Sequence, residues 1–232
     1  MPKVDIGIIG AMQPEVEELV ASLKAKKEEK VGGVTFYRGK LGKVKVAIAK
    51  CGVGKVFAAL TAEAMIMKYS PKLVINTGVG GGIAKGIPVG SVVVADKLVQ
   101  HDMDTSAIGD PKGLISGINQ IFFEADKRAR VLTLAIAEEL KAKCCEGTVA
   151  SGDIFVSDSA LKERIAEDFG ASVCEMEGAA IAHVAFVNST PFCIIRAISD
   201  SADEEGSVSY EKFLPEAAKL SASIAYELAK RY

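Results

Sequence analysis

Short apolar runs rich in Val and Ile alternate along this chain with segments whose apolar positions recur every three or four residues, as strands and helices taking turns would do. Residues 4–9 read as a first strand. Pro14 suits the first turn of a helix that runs to about Lys27, with Val16, Leu19, Val20 and Leu23 at helical spacing. Residues 34–38 and 44–51, joined by a glycine-bearing turn, predict a hairpin whose second strand enters the core. CGVGKVFAALTAEAMIMKY predicts a glycine-punctuated turn and then a helix buried on more than one face. Residues 73–76 read as a short strand ending in TGVGGGIAKGIPVG, the most glycine-dense segment of the chain. Further strands are expected over 91–98, 145–150, 171–175 and 192–198, and further helices over 124–142, 162–169, 177–187 and 210–231. The stretch 100–120 is irregular, and a long loop in a compact domain is usually functional or ordered by a partner. No linker, repeat or low-complexity tract interrupts this order, so one α/β domain over residues 1–232 is expected.

Composition narrows the partners. A 49% hydrophobic content and a net charge of −2 call for extensive burial in a core or subunit interface and argue against nucleic acid or an acidic membrane surface. The longest apolar runs are cut by Lys72, Lys85 or Arg196 before the roughly 18 residues a membrane span needs. Pro14 and Glu15 stand where a signal peptide would continue its apolar region. Five cysteines without framework spacing fit reduced thiols, and Cys144-Cys145 is no CxxC motif. With only His101 and His183, a histidine-rich metal site is not expected. These features predict a soluble cytoplasmic protein.

The candidate chemistry sits where predicted strands end. The glycines at 78, 80, 81, 82 and 86 are either a structural turn or a place where backbone amides approach a ligand, and they lack Walker A spacing. GIIGAM lacks the third glycine of a dinucleotide fingerprint. Glu15 falls in the first turn of a helix, where a carboxylate complements the dipole, but also in the loop after a first parallel strand, where α/β sheets place ligands. Asp200 closes a hydrophobic strand. Arg196, inside that strand, must find acceptors, and Glu175 or Glu177 of CEMEG are the candidates. If Glu15, Glu177 and Asp200 converge, their mutual repulsion pushes their pKa values apart and yields both an acid and a base. Such a site suits hydrolysis through a cationic, sugar-like transition state.

Taken together, GIIGAMQPEVEEL, CGVGKVFAAL, INTGVGGGI, SGDIFV, CEMEGAAIAHV and IIRAISDSAD resemble the 5′-methylthioadenosine/S-adenosylhomocysteine nucleosidases of the purine nucleoside phosphorylase superfamily, from the first strand to the last helix. The resemblance implies a three-layer α/β/α sandwich with a mixed, barrel-like central sheet. It implies a homodimer that cleaves the N-glycosidic bond of methylthioadenosine, adenosylhomocysteine or 5′-deoxyadenosine to free adenine, with no metal or organic cofactor. By motif, Glu15 corresponds to the residue that activates the water, Glu177 to the ribose ligand with Met176 packed on the sugar, and Asp200 to the general acid at adenine N7, oriented by Ser199. Phe155 would stack on the base, the Val156 backbone would read its Watson–Crick edge, Arg196 would lie near the water and Tyr210 beside the ribose. Ile108, in the irregular stretch, would reach the neighbouring subunit's alkylthio pocket. Val79, beside Gly80, stands where the family often has Ser, so backbone amides of that segment are expected to take over from the missing hydroxyl. Three rivals are a phosphorylase, which needs cations that 11–15 and 75–77 lack, a binding protein without turnover, and a hydrolase of another adenosine-like nucleoside such as aminodeoxyfutalosine.

Overall fold

A computed structural model of the chain describes residues 3–232. In chain order the elements are β1 (Ile6–Gly10), α1 (Gln13–Ala21), β2 (Lys24–Val31), β3 (Val34–Leu41), β4 (Val44–Lys50), α2 (Lys55–Tyr69), β5 (Leu73–Gly82), β6 (Val92–Gln100) and β7 (Phe123–Glu124). Then follow α3 (Lys127–Glu139), β8 (Cys144–Ser151), α4 (Ser159–Phe169), β9 (Ala171–Glu175), α5 (Gly178–Val187), β10 (Phe192–Asp200) and α6 (Gly206–Arg231). A single 3₁₀ turn, Ser106–Ile108, interrupts the long irregular stretch.

The strands form one mixed sheet in the order β10-β6-β8-β9-β5-β1-β4-β3-β2, with β7 on β6. Pairing of β10 with β5 closes β10, β6, β8, β9 and β5 into a five-stranded barrel, from which β1 to β2 extend as a wing. Helices α1, α3 and α6 bury their apolar stripes on one face of the sheet. Helices α2 and α5, whose small residues let them sit close, cover the other. The expected three-layer α/β/α sandwich with a barrel-like sheet is the observed architecture.

Three local expectations need correction. The first helix ends at Ala21 rather than near Lys27, where Ser22 caps it by donating to Glu18 O and Val20 O. The sequence KAKKEEKV then forms the exposed strand β2, paired only with β3. It has no apolar alternation to signal a strand because it buries neither face, and its lysines keep that edge from recruiting another chain.

The glycine-dense segment is not all loop: residues 77–82 are the second half of β5, all ten residues of which are buried, and only 83–90 form the loop that follows. A Cβ on Gly80 would stand 2.6 Å from Val173 Cγ1 and 3.0 Å from Cys174 O, so the barrel closes against β9 only because that residue has none. The third predicted helix starts at Lys127, capped by Asp126, and Phe123–Glu124 ahead of it joins the sheet.

Candidate active site

The ends of β1, β5, β9 and β10 meet at one end of the barrel, and a cavity opens there. Its walls include Glu15, Glu175, Glu177 and Asp200, with Met12, Val53, Ile154, Phe155, Met176 and Tyr210 on the apolar sides. Among the described residues that line it, none is Lys or Arg.

Each carboxylate is placed by backbone geometry. Glu15 is the third residue of α1, and its side chain turns back over the helix start, where free amides await an acceptor. Its Oε2 accepts from Ala11 N at 2.6 Å and Met12 N at 2.9 Å, and its Oε1 from Val79 N at 3.2 Å. A carboxylate has about four acceptor positions, so one on Oε1 stays free for a further donor. Gly78 makes this approach possible, because a Cβ there would stand 2.8 Å from that Oε1. Burial raises the Glu15 pKa above the usual carboxylate range, against the opposing pull of the Met12 amide, the Arg196 charge and the Ala11 amide.

Glu175 and Glu177, two residues apart, have different environments. Glu175 ends β9 and faces inward. Its Oε2 accepts from Arg196 Nε at 3.1 Å and from the Gly178 amide at 2.8 Å, and its Oε1 from Ser151 Oγ. It thus saturates the start of α5 and neutralises the guanidinium in one place. Arg196 is completed by Asn76 Oδ1 and by Ile195 O at 2.9 Å. Glu177 lies past the strand, at the N-cap of α5, and its Oε1 accepts from Gly54 N at 2.8 Å. Burial, reinforced by the negative charge of Glu175, holds the Glu177 pKa well above the ordinary range.

Asp200 is aimed by an irregularity in β10. The register with β5 pairs Arg196 with Gly78 and Ile198 with Gly80, then slips at Ser199 so that Asp200 faces Gly81. Such a bulge re-aims the side chain that follows it. Asp200 Oδ2 accepts from Ser199 Oγ at 2.8 Å and Oδ1 from Ala202 N at 2.9 Å. Burial raises its pKa, and those two donors lower it less.

Of the residues singled out in the sequence, Glu15, Glu177, Asp200, Met176, Phe155, Val156, Val79, Gly80, Ser199 and Tyr210 line this one cavity. Phe155 and Tyr210 meet edge to face with ring centroids 5.5 Å apart. Arg196 does not line it; it lies behind the wall, 1% exposed, with Glu175 between it and the opening. Ile108 is 81% exposed and outside the cavity. Sequence reasoning missed the amides of Ala11, Met12 and Gly54, which carry no residue-type signal, and the apolar walls Val53 and Ile154, which read as ordinary loop residues. Among the described residues, no group of three or more His, Cys, Asp or Glu side chains is arranged to hold a metal ion.

Residues 5–230 match the phosphorylase superfamily. A 5′-methylthioadenosine/S-adenosylhomocysteine nucleosidase of Haemophilus influenzae is 39% identical over 227 residues, which are 97% of this chain and 99% of that protein. An aminodeoxyfutalosine nucleosidase of Campylobacter jejuni is 35% identical over 97% of this chain and 98% of its own. Among solved structures, the Neisseria meningitidis 5′-methylthioadenosine/S-adenosylhomocysteine nucleosidase in complex with methylthio-immucillin-A superposes with a TM-score of 0.95 at 35% identity, covering 98% of this chain and 99% of that one.

Proposed function

Since this chain belongs to the phosphorylase superfamily and is an N-glycosidic hydrolase of nucleosides, we propose that it cleaves 5′-methylthioadenosine and S-adenosylhomocysteine to adenine and the 5′-thioribose product. The observation that carries the choice of hydrolysis over phosphorolysis is the cavity wall: four carboxylates, Glu15, Glu175, Glu177 and Asp200, and no cation among the described residues that line it. Phosphate would meet only repulsion there, whereas water needs an acceptor and a developing ribosyl cation needs nearby negative charge.

In this mechanism Asp200 gives its proton to adenine N7, so that the base leaves neutral rather than as a poor anionic leaving group. Burial raises the pKa of its carboxyl, which favours the proton-bearing form, and Ser199 sets the carboxyl's orientation. The free acceptor position on Glu15 Oε1 takes a proton of the attacking water. Arg196 acts behind it by fixing Glu175 and biasing the local field. Glu177 receives the ribose hydroxyls over Met176 and faces the positive charge that grows on the sugar. Phe155 and Val156 hold the base, and Tyr210 closes the ribose side.

The experiment is release of the free base, adenine from methylthioadenosine and adenosylhomocysteine and hypoxanthine from inosine, with and without phosphate. The first two should turn over at a rate indifferent to phosphate. A phosphate-dependent rate with a ribose-1-phosphate product would overturn hydrolysis, and adenine binding without release would reduce the protein to a binder. The aminodeoxyfutalosine nucleosidase of Campylobacter jejuni supports a second substrate, and aminodeoxyfutalosine belongs in the same assay.

The working unit in this reading is a homodimer. Helix α2 exposes Val56, Phe57, Leu60 and Met67, and α5 exposes Phe186 and Val187, an apolar load more typical of an interface than of free surface. Ile108 would then be free to reach the partner's cavity. A monomeric mass in sedimentation equilibrium at micromolar concentration would count against it. Five free cysteines support a reducing, cytoplasmic setting.

A further inference from the structure

The start of α2 gives its first two amides to carboxylates from two distant segments. Gly54 N donates to Glu177 Oε1, and Lys55 N donates to Asp153 Oδ1, both at 2.8 Å. Gly54 has φ of +100°, a backbone conformation that favours glycine, and a Cβ there would stand 3.0 Å from Asp153 Oδ1. The amide of Asp153 donates in turn to Asp102 Oδ2 at 3.0 Å, and Lys55 Nζ returns to Asp102 Oδ1 at 2.5 Å.

These contacts form a closed ring: Lys55 backbone to Asp153 side chain, Asp153 backbone to Asp102 side chain, Asp102 side chain to Lys55 side chain. Each residue contributes to two of the three links, and each comes from a different segment: the start of α2, the stretch after β6 and the stretch after β8. Lys55 Nζ also reaches Gln100 Oε1 at 3.2 Å, and Gln100 Nε2 meets His183 Nδ1 of α5 at 3.3 Å.

None of the three ring residues lines the cavity, but Ile154, next to Asp153, and Val53, two residues before Lys55, do. Asp153 directly precedes Ile154, Phe155 and Val156, the base side. Lys55 directly follows Gly54, the hydrogen-bond partner of Glu177 on the ribose side. We propose that Lys55, Asp102 and Asp153 are positioning residues for the nucleosidase reaction, a ring that sets the base-holding segment and the ribose-facing Glu177 in register with each other. This rests on the function proposed above.

Asp102→Asn keeps shape but loses one of two acceptors, and Lys55→Met keeps the stem but loses the ammonium. Each should lower kcat/KM by about 10- to 100-fold, the scale on which a misplacement of about 1 Å acts. The double variant should lose no more than the worse single one, because a ring opened once is open. Adenine affinity, which reads the base side alone, should weaken less than kcat/KM. Thermal unfolding identifies the folded samples, and if Lys55→Met does not fold, the isosteric Asp102→Asn decides alone. A kcat/KM within threefold of wild type in folded Asp102→Asn, with Glu177→Gln strongly impaired, overturns the ring while leaving the function intact. Independent, multiplying losses in the double variant also overturn it. If wild type releases no adenine, or Glu177→Gln is fully active, the underlying function fails instead.

Discussion

Asp200 has both oxygens engaged, by the Ser199 hydroxyl and the Ala202 amide, so its orientation does not depend on ligand. Asparagine can preserve the Ala202 contact and the pocket's shape but has no proton to give. Asp200→Asn is therefore expected to reduce kcat by about 10²- to 10⁴-fold, the usual worth of a positioned general acid. Adenine affinity should stay within a few-fold, measured by calorimetry, and substantial residual turnover would remove Asp200 from the acid's role. The same scale shows what residue type reveals. Carboxylates at strand ends stand out in a hydrophobic sequence, and a lone Arg in an apolar strand demands a partner. Which glutamate is that partner is decided by three-dimensional aim: Glu175 ends its strand pointing at Arg196 and the α5 amides, and Glu177 has already turned toward Gly54.

At the level of elements, β5 is the strand that makes the site possible. Its glycines present bare backbone on which carboxylates rest: a Cβ would come within 2.8 Å of Glu15 Oε1 at Gly78 and within 2.8 Å of Asp200 Oδ1 at Gly81. Gly78→Ala is thus expected to displace Glu15 and lower kcat by about tenfold or more, again the scale of a small misplacement. Unfolding should remain cooperative, as circular dichroism would check. Unchanged kcat in this variant would show that Glu15 has room the geometry denies it. The glycine density of this segment was visible, but glycine usually marks turns, and only pairing with β10 and β9 makes it a wall. Conversely, β2 has a helix-compatible sequence of lysines and glutamates and becomes a strand because β3 offers it a ladder.

Across the whole molecule, the barrel gathers like charges and excludes water from them. Glu15, Glu177 and Asp200 have folded pKa values raised above their unfolded ones, burial being the first cause for each. Groups of this kind stabilise the fold fully below the unfolded carboxylate pKa, and that contribution is lost as pH rises through the folded values. His101 and His183, lowered by burial, act in the opposite sense between acid and neutral pH, so wild type alone does not isolate the carboxylates. The difference between Glu177→Gln and wild type does. The variant should gain in relative thermal midpoint as pH goes from 5 to 8, by a few degrees at about 2–4 °C per kcal/mol for a chain of this size. A difference independent of pH would mean that Glu177 carries no raised pKa in the fold. The alternation of strands and helices, the α/β class and the motif residues at strand ends are legible along the chain, because periodicity and residue type are local properties. That β5 and β10 close a barrel, that its end collects four carboxylates around one cavity, and that Arg196 stands behind the wall are visible only in the folded molecule. Those facts depend on which strands pair and in what register, which is set by contacts between residues far apart in the chain.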